Sequence, residues 1–146
     1  MSKHLIAVVL AGVISATSHG MAQQTTPKVK NVPVQQTSAA SGQQMFTTYC
    51  AACHGGDGRG NGPAASAMKI PPVDLTTLSK KNGGVFPSAH VSSVLQFGVK
   101  NPAHGSAEMP VWGDLMQTMS SNNRDPSVAM HQRITNLTDY LKQMQK

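Results

Sequence analysis

Two cysteines and a histidine form the most informative cluster in this 146-residue chain, in the pattern Cys50-Ala51-Ala52-Cys53-His54. On a helix, residues three apart share a face, so both sulfur atoms would point the same way. C-x-x-C-H is the attachment signature of c-type haem, whose two vinyl groups can each bond one sulfur. His54 follows directly and can turn its imidazole under the iron. The motif therefore predicts one covalent haem c on Cys50 and Cys53, with His54 as the proximal axial iron ligand.

Three other uses of the cysteine pair are weaker interpretations. A thioredoxin-like dithiol would require a preceding strand and a βαβ pattern, and the sequence predicts neither. A zinc site would need further ligands at metal-binding spacing, whereas the histidines after the motif are scattered at positions 90, 104 and 131. A disulfide between residues three apart on one helix would close a very short loop and stabilise the fold little.

A second axial ligand must reach the opposite face of such a haem, and methionine and histidine are the candidates. Met109 is favoured as this distal ligand because Pro110 disfavours helical conformation at the residue before it, and a loop can lay a thioether against the ring. His104, Met116 and Met119 remain alternatives. Three further methionines belong to predicted helices and are expected to pack there instead: Met45, Met130 and Met144.

The chain contains few large apolar side chains for its length. It has three Phe, two Tyr and one Trp, against 13 Gly. Long loops in a compact domain usually have a functional reason. A buried macrocycle would supply the apolar area that the sequence lacks, so the composition and the cysteine motif indicate the same cofactor.

The cysteine motif lies at the end of a predicted helix. Ser41 and Gln44 have the spacing of a capping box, in which each side chain satisfies a free backbone donor of the first turn. Gly55 and Gly56 end the helix, and the Gly-rich residues 55–65 are predicted to form a loop.

Two further helices are predicted downstream, and no stretch shows convincing strand alternation. One spans residues 89–97, with Ser88 as its cap and Gly98 just past its end. The other begins after its cap Asp125 and runs to about Gln145. Its apolar residues recur at steps of four and three, and they are Met130, Ile134, Leu137, Leu141 and Met144. The predicted fold class is all-α, with about three to five helices and long loops around the haem.

The N-terminal residues have the pattern of an export signal. A polar start precedes an apolar run at 5–14, which is too short to span a membrane. A small-residue cleavage site ends at Ala22, and an uncleaved anchor is the alternative. The next residues are polar and lack aromatic side chains, as expected for a flexible tether. We therefore predict a signal peptide at 1–22, a linker at 23–40, a domain at 41–146 and a periplasmic location.

The charge pattern excludes some partners and favours others. The chain carries 12 Lys+Arg against 6 Asp+Glu, for a net charge of +6. Its basic residues are scattered without an aromatic platform, which argues against nucleic acid. No run approaches the roughly 20 apolar residues that a membrane-spanning helix needs. Four lysines are candidates for a docking face at the exposed haem edge: Lys69, Lys80, Lys81 and Lys100.

The sequence resembles the class I, bacterial-type monohaem cytochromes c over most of residues 41–146. Residues 42–50, in the pattern G-x-x-x-F-x-x-x-C, match the first helix of that family, which leads into the haem motif. Residues 137–141, LTDYL, match its last helix, and residues 55–65 are similar to the loop that follows the haem motif in many members. The Met-Pro pair at 109–110 is similar to the family's ligand loop.

The resemblance implies a cytochrome c fold with His54 and Met109 as axial ligands. It also implies that Tyr140 packs on the first helix beside Gly42, where the missing Cβ lets two helices cross closely.

The sequence leaves two alternatives for each of two supporting contacts. His54 should donate its second ring N–H to a backbone carbonyl, and the family uses a proline carbonyl for this, so Pro71 or Pro72 is the expected acceptor. Trp112 is expected either to pack near a haem propionate or to fill the core.

The function implied by the resemblance is single-electron transfer between a redox protein donor and acceptor in transient contact. The chain would act as a monomeric, exported carrier and not as an enzyme. One alternative is a haem-bearing electron-transfer subunit of a dehydrogenase or oxidase complex. Another is a haem ligand sensor or peroxidase, which would need an open sixth position on the iron. The Met- and Asn-rich residues 116–124 receive no assignment from the sequence.

Overall fold

The computed structural model describes residues 34–99, 109–119 and 125–146. Over these residues the chain is helical and contains no strand, which confirms the predicted all-α class. The predicted signal peptide and cleavage site, most of the predicted linker, Lys100 and His104 lie outside the described residues. Within the described part, no helix has both the length and the apolar character needed to cross a membrane.

The helix that carries the cysteine motif is built from three consecutive parts. α1 is Gly42–Met45, a π turn follows at Phe46–Cys50, and α2 is Ala51–His54. We refer to these residues together as the motif helix. Ser41 caps it as predicted, because its hydroxyl oxygen accepts a hydrogen bond from the backbone N–H of Gln44 at 3.1 Å.

The remaining elements follow in chain order. They are 3₁₀ turns at Ala65–Ala67 and Leu75–Thr77, α3 at Leu78–Lys81, α4 at Ser88–Phe97, α5 at Trp112–Thr118 and α6 at Pro126–Gln143. Ser88 was predicted to cap α4 but is its first residue. The Pro87 carbonyl already accepts a helical bond from the Val91 N–H at 3.0 Å, so the helix begins one residue earlier than predicted. Gly98 ends α4 as predicted, with φ of 75°.

The last helix forms the centre of the packing. α6 contacts α1, α4 and α5, and Asp125 caps it as predicted by accepting a bond from the Ser127 N–H at 2.8 Å. The predicted apolar stripe faces the core. Its buried members are Met130, Ile134, Leu137 and Leu141, and Met144 is partly buried against them.

The crossing of α1 and α6 occurs at Gly42. A Cβ at this residue would collide with the carbonyl oxygen of Asn136 and would lie 2.7 Å from the Cβ of Tyr140. The rings of Phe46 and Tyr140 pack beside this crossing with centroids 5.6 Å apart. The predicted close approach of the two helices at a glycine is therefore confirmed.

Residues 34–40 belong to the predicted flexible linker, but several of them contact the helical part of the chain. Thr37 is only 7% exposed, and the Ser38 N–H donates to Oε1 of Gln44 at 2.9 Å. This bond takes the place of the reciprocal capping bond predicted between Gln44 and Ser41. Composition alone could not reveal it, because a polar segment can be ordered by hydrogen bonds to side chains of a neighbouring element.

α5 accounts for part of the Met-rich segment 116–124. Met116 and Met119 are both buried, and Met116 belongs to the main hydrophobic core. These side chains pack the helices together, whereas residues 120–124 lie outside the described residues.

Candidate functional site

A cavity of about 480 Å³ brings the four predicted site residues together. Cys50, Cys53 and His54 line it from the motif helix, and Met109 lines it from the segment before α5. A volume of this size lies in the range of small-molecule and cofactor sites and far above the water-sized voids of a packed core. The apolar side chains around it include Ile70, Val73, Leu75, Val91, Leu95 and Leu141.

The two cysteines stand where the π turn passes into α2. Both are free thiols and partly exposed. Burial raises the pKa of the Cys50 thiol to about 12, and the charge of Cys53 adds to the rise. A reactive redox cysteine has a lowered pKa, which is the opposite direction to that of Cys50. The π turn itself was not predicted, and such turns are frequent at functional sites.

His54 is buried, and its ring is held by a backbone carbonyl as predicted. The acceptor is Val73, whose oxygen lies 3.2 Å from Nδ1, and not Pro71 or Pro72. The Pro72 carbonyl lies instead against Gly60, where a Cβ would collide with it. With Nδ1 donating to Val73, the Nε2 lone pair is the one available to a metal. Burial lowers the pKa of His54, although the Val73 bond opposes this, and the neutral imidazole is the ligating form.

The Gly-rich loop folds back over the end of α2. The Gly60 N–H donates to the carbonyl of His54 at 2.7 Å, and the Gly62 N–H donates to the carbonyl of Cys53 at 3.0 Å. These bonds satisfy carbonyls that a helix end leaves without partners. The loop therefore fixes the backbone of both residues from the C-terminal side.

Met109 is the predicted distal candidate that lines the cavity. Met116 and Met119, its predicted rivals, are buried in the protein and are not among the lining residues. His104 lies outside the described residues.

Sequence reasoning missed two other potential iron ligands that line the cavity, Met68 and His90. Met68 stands five residues before Val73, in the segment that holds the ring of His54. No sequence signal marked Met68, because the part that its segment takes in holding His54 is visible only in the structure.

Trp112 fills space between the elements and also lines the cavity. It is buried at the start of α5, and its ring packs against Tyr49 with centroids 5.4 Å apart and planes tilted by 31°. Tyr49 directly precedes Cys50 and also lines the cavity, and its hydroxyl donates to the carbonyl of Gln35 at 2.6 Å. The Tyr49–Trp112 pair therefore joins the motif helix to α5.

The family model for cytochrome c matches residues 39–145 of this chain. The chain belongs to the cytochrome c family. Cytochromes c attach haem covalently and transfer electrons through it, which is the role that the cysteine motif predicts here. Comparisons with curated proteins and with solved structures found no match.

The residues around the cavity of this cytochrome c fit a covalent haem. Cys50 and Cys53 lie within one turn of the motif helix, and His54 has Nε2 available beside them. The lining is predominantly apolar, as a flat aromatic macrocycle requires. Lys81 is a cationic residue that lines the same cavity. Lys69 and Lys80, which lie close to it in the sequence, are exposed to solvent.

Proposed function

We propose that this cytochrome c is an exported, monohaem electron carrier whose iron would be held by His54 and Met109. The observation that carries the proposal is the single cavity lined by both side chains and by Cys50 and Cys53. When bound, haem supplies one-electron exchange between ferrous and ferric iron. The chain itself would supply two attachment points in Cys50 and Cys53, two iron-binding side chains in His54 and Met109, and a predominantly apolar lining.

Met109 is preferred to Met68 because of the segments that carry them. Met68 belongs to residues 68–73, and Val73 of this segment holds the ring of His54. Met109 comes from the non-helical residues just before α5, where Pro110 disfavours helical conformation and a loop can lay the thioether against the ring. It also matches the Met-Pro pair of the family's ligand loop, which Met68 does not.

The environment of these ligands favours electron transfer over ligand binding. A thioether stabilises ferrous iron and raises the reduction potential relative to stronger donors. The lining is predominantly apolar, so few dipoles beside the iron would have to reorient when its charge changes. The electron passes between partner proteins, and the chain converts no substrate of its own.

The expected partners are redox proteins that bind briefly near the cavity. Transient redox complexes use small interfaces. Lys81 lines the cavity, and Lys69 and Lys80 are exposed, which favours acidic surfaces on the donor and acceptor. We propose that the carrier is a periplasmic monomer, released by cleavage of its signal after Ala22.

Paired substitutions at the two methionines test the ligand assignment. In Met109→Leu, the ferric protein should lose its sulfur-to-iron absorption band, and the ferrous protein should bind carbon monoxide readily. Met68→Leu removes the same thioether from the other segment and should leave both properties unchanged. Loss of the band in Met68→Leu, or its survival in Met109→Leu, would show that the assignment is wrong.

A further inference from the structure

Arg133 in α6 is a buried cation with no function in the site described above. It is only 5% exposed. Its Nη1 donates to Oγ1 of Thr37 at 3.2 Å and lies 3.9 Å from the sulfur of Met45. Its Nη2 donates to the carbonyl of Met119 at 3.4 Å, while its Nε has no hydrogen-bond partner.

No carboxylate among residues 34–99, 109–119 and 125–146 forms an ion pair with Arg133. The acceptors around it are a hydroxyl, a thioether and a carbonyl, which are all neutral. Arginine remains charged in proteins, and a buried charge is seldom left without an ionic partner. Its electric field is also only weakly screened by salt, because water and counterions do not reach it.

The guanidinium is close to the haem cavity. Oγ1 of Thr37, which accepts from Arg133, also lies 2.9 Å from the hydroxyl oxygen of Tyr49. The ring of Tyr49 extends from this hydroxyl, and the residue lines the cavity directly before Cys50. A threonine and a tyrosine therefore connect the charge to the wall of the cavity.

We propose that Arg133 is a potential-tuning residue, which raises the reduction potential of the haem by its buried charge. This inference rests on the proposed function, in which the iron takes up and releases one electron. Reduction lowers the charge of the iron centre by one unit, so a nearby cation stabilises the ferrous form more than the ferric form. Arg133 acts through space and does not contact the iron or its ligands.

Redox titration of the full-length, haem-loaded protein tests the proposal. Arg133→Met removes the charge and keeps a long apolar side chain. At a fixed ambient potential, its ferrous-to-ferric ratio should fall by about threefold to tenfold, as expected for a unit charge acting at an effective dielectric near 20. A tenfold fall corresponds to about 59 mV for a one-electron couple.

Two further variants separate the effect of the charge on the reduction potential from the effect of side-chain packing. Arg133→Lys keeps the charge and should stay within about twofold of the parent ratio. Lys142→Met removes an exposed charge from the same helix and should also stay within about twofold, with any difference disappearing at high salt. Should Arg133→Met fail to fold, Arg133→Gln is the neutral variant to compare with Arg133→Lys.

The outcomes distinguish this inference from the proposed function. An unchanged potential in the neutral variants, with a lower unfolding temperature, would show that Arg133 only holds residues 34–40 in place. Equal shifts in the neutral and lysine variants would also overturn the charge mechanism. Failure of the proposed function would be seen in the parent protein itself, as the absence of a sulfur-to-iron band.

Discussion

Protein contacts alone hold both the ring and the backbone carbonyl of His54. Its ring donates to the Val73 carbonyl, and its own carbonyl accepts from the Gly60 N–H at 2.7 Å. A ring fixed in this way keeps one tautomer and one orientation, which are the properties that an axial ligand requires. The loop that follows the motif therefore positions His54 as much as the helix that precedes it does.

Gly42 offers a test at the scale of one residue. Gly42→Ala should lower the free energy of unfolding by about 2 kcal/mol or more, because the new methyl group would meet the backbone of α6 and not a flexible side chain. The gain in helix propensity, roughly 0.5–1 kcal/mol, opposes this effect without cancelling it. Denaturant unfolding of the haem-loaded protein measures the difference.

Gly56→Ala is the matched control for that substitution. No heavy atom lies within 4 Å of a Cβ placed at residue 56, so its stability should change by less than about 0.5 kcal/mol. Equal stability of the two variants would contradict the close helix crossing at Gly42.

A site residue can be predicted from the sequence when the pattern that marks it lies within a short stretch of the chain. Cys50, Cys53 and His54 could be singled out because the motif that they form occupies five consecutive positions, and the structure places all three at one cavity. The carbonyl partner of His54 was predicted as a proline and is Val73. That detail depends on how residues 68–73 pass the Gly-rich loop, which the sequence pattern does not encode.

At the scale of elements, the motif helix and α6 could be predicted because each begins with a capping side chain and carries a regular apolar stripe. α5 lacks the first signal, since Val111 at its cap makes no side-chain bond. Its apolar residues cover only about two turns, and they are Trp112, Leu115, Met116 and Met119. α5 is stabilised by tertiary contacts, such as the buried ring of Trp112 and the close approach of Gly113 to the Gln96 carbonyl of α4. Such contacts outweigh weak local propensity.

The contact between the motif helix and α5 gives a prediction at this scale. Trp112→Leu removes the ring packed on Tyr49 and should loosen α5, which directly follows the segment that carries Met109. The sulfur-to-iron band of the ferric protein should weaken, and the ferrous protein should bind carbon monoxide faster.

Phe97→Leu is the control for the aromatic pair, because this side chain is 53% exposed at the end of α4. It should leave the band and the carbon monoxide kinetics unchanged. Equal effects of both substitutions, or no effect of Trp112→Leu, would show that the Tyr49–Trp112 pair does not hold Met109 against the iron.

At the scale of the whole molecule, the cavity that contains the candidate site residues also lies among the apolar side chains of the domain. The chain has only three Phe, two Tyr and one Trp, and several of its Leu, Ile and Val side chains line a space of about 480 Å³. A covalent haem would complete the hydrophobic core from within, which explains how a sequence rich in glycine folds around long loops. Electron transfer and stability are therefore expected to depend on the same group.

The most direct test of the account is the optical spectrum of the mature protein, exported in a host that attaches c-type haem. It should be recorded oxidised, reduced, and reduced under carbon monoxide. A carrier with His54 and Met109 on the iron should give a low-spin spectrum, a sulfur-to-iron band in the ferric form and no response to carbon monoxide. A high-spin spectrum or ready carbon monoxide binding would contradict this ligand assignment and would indicate an open iron suited to sensing or catalysis.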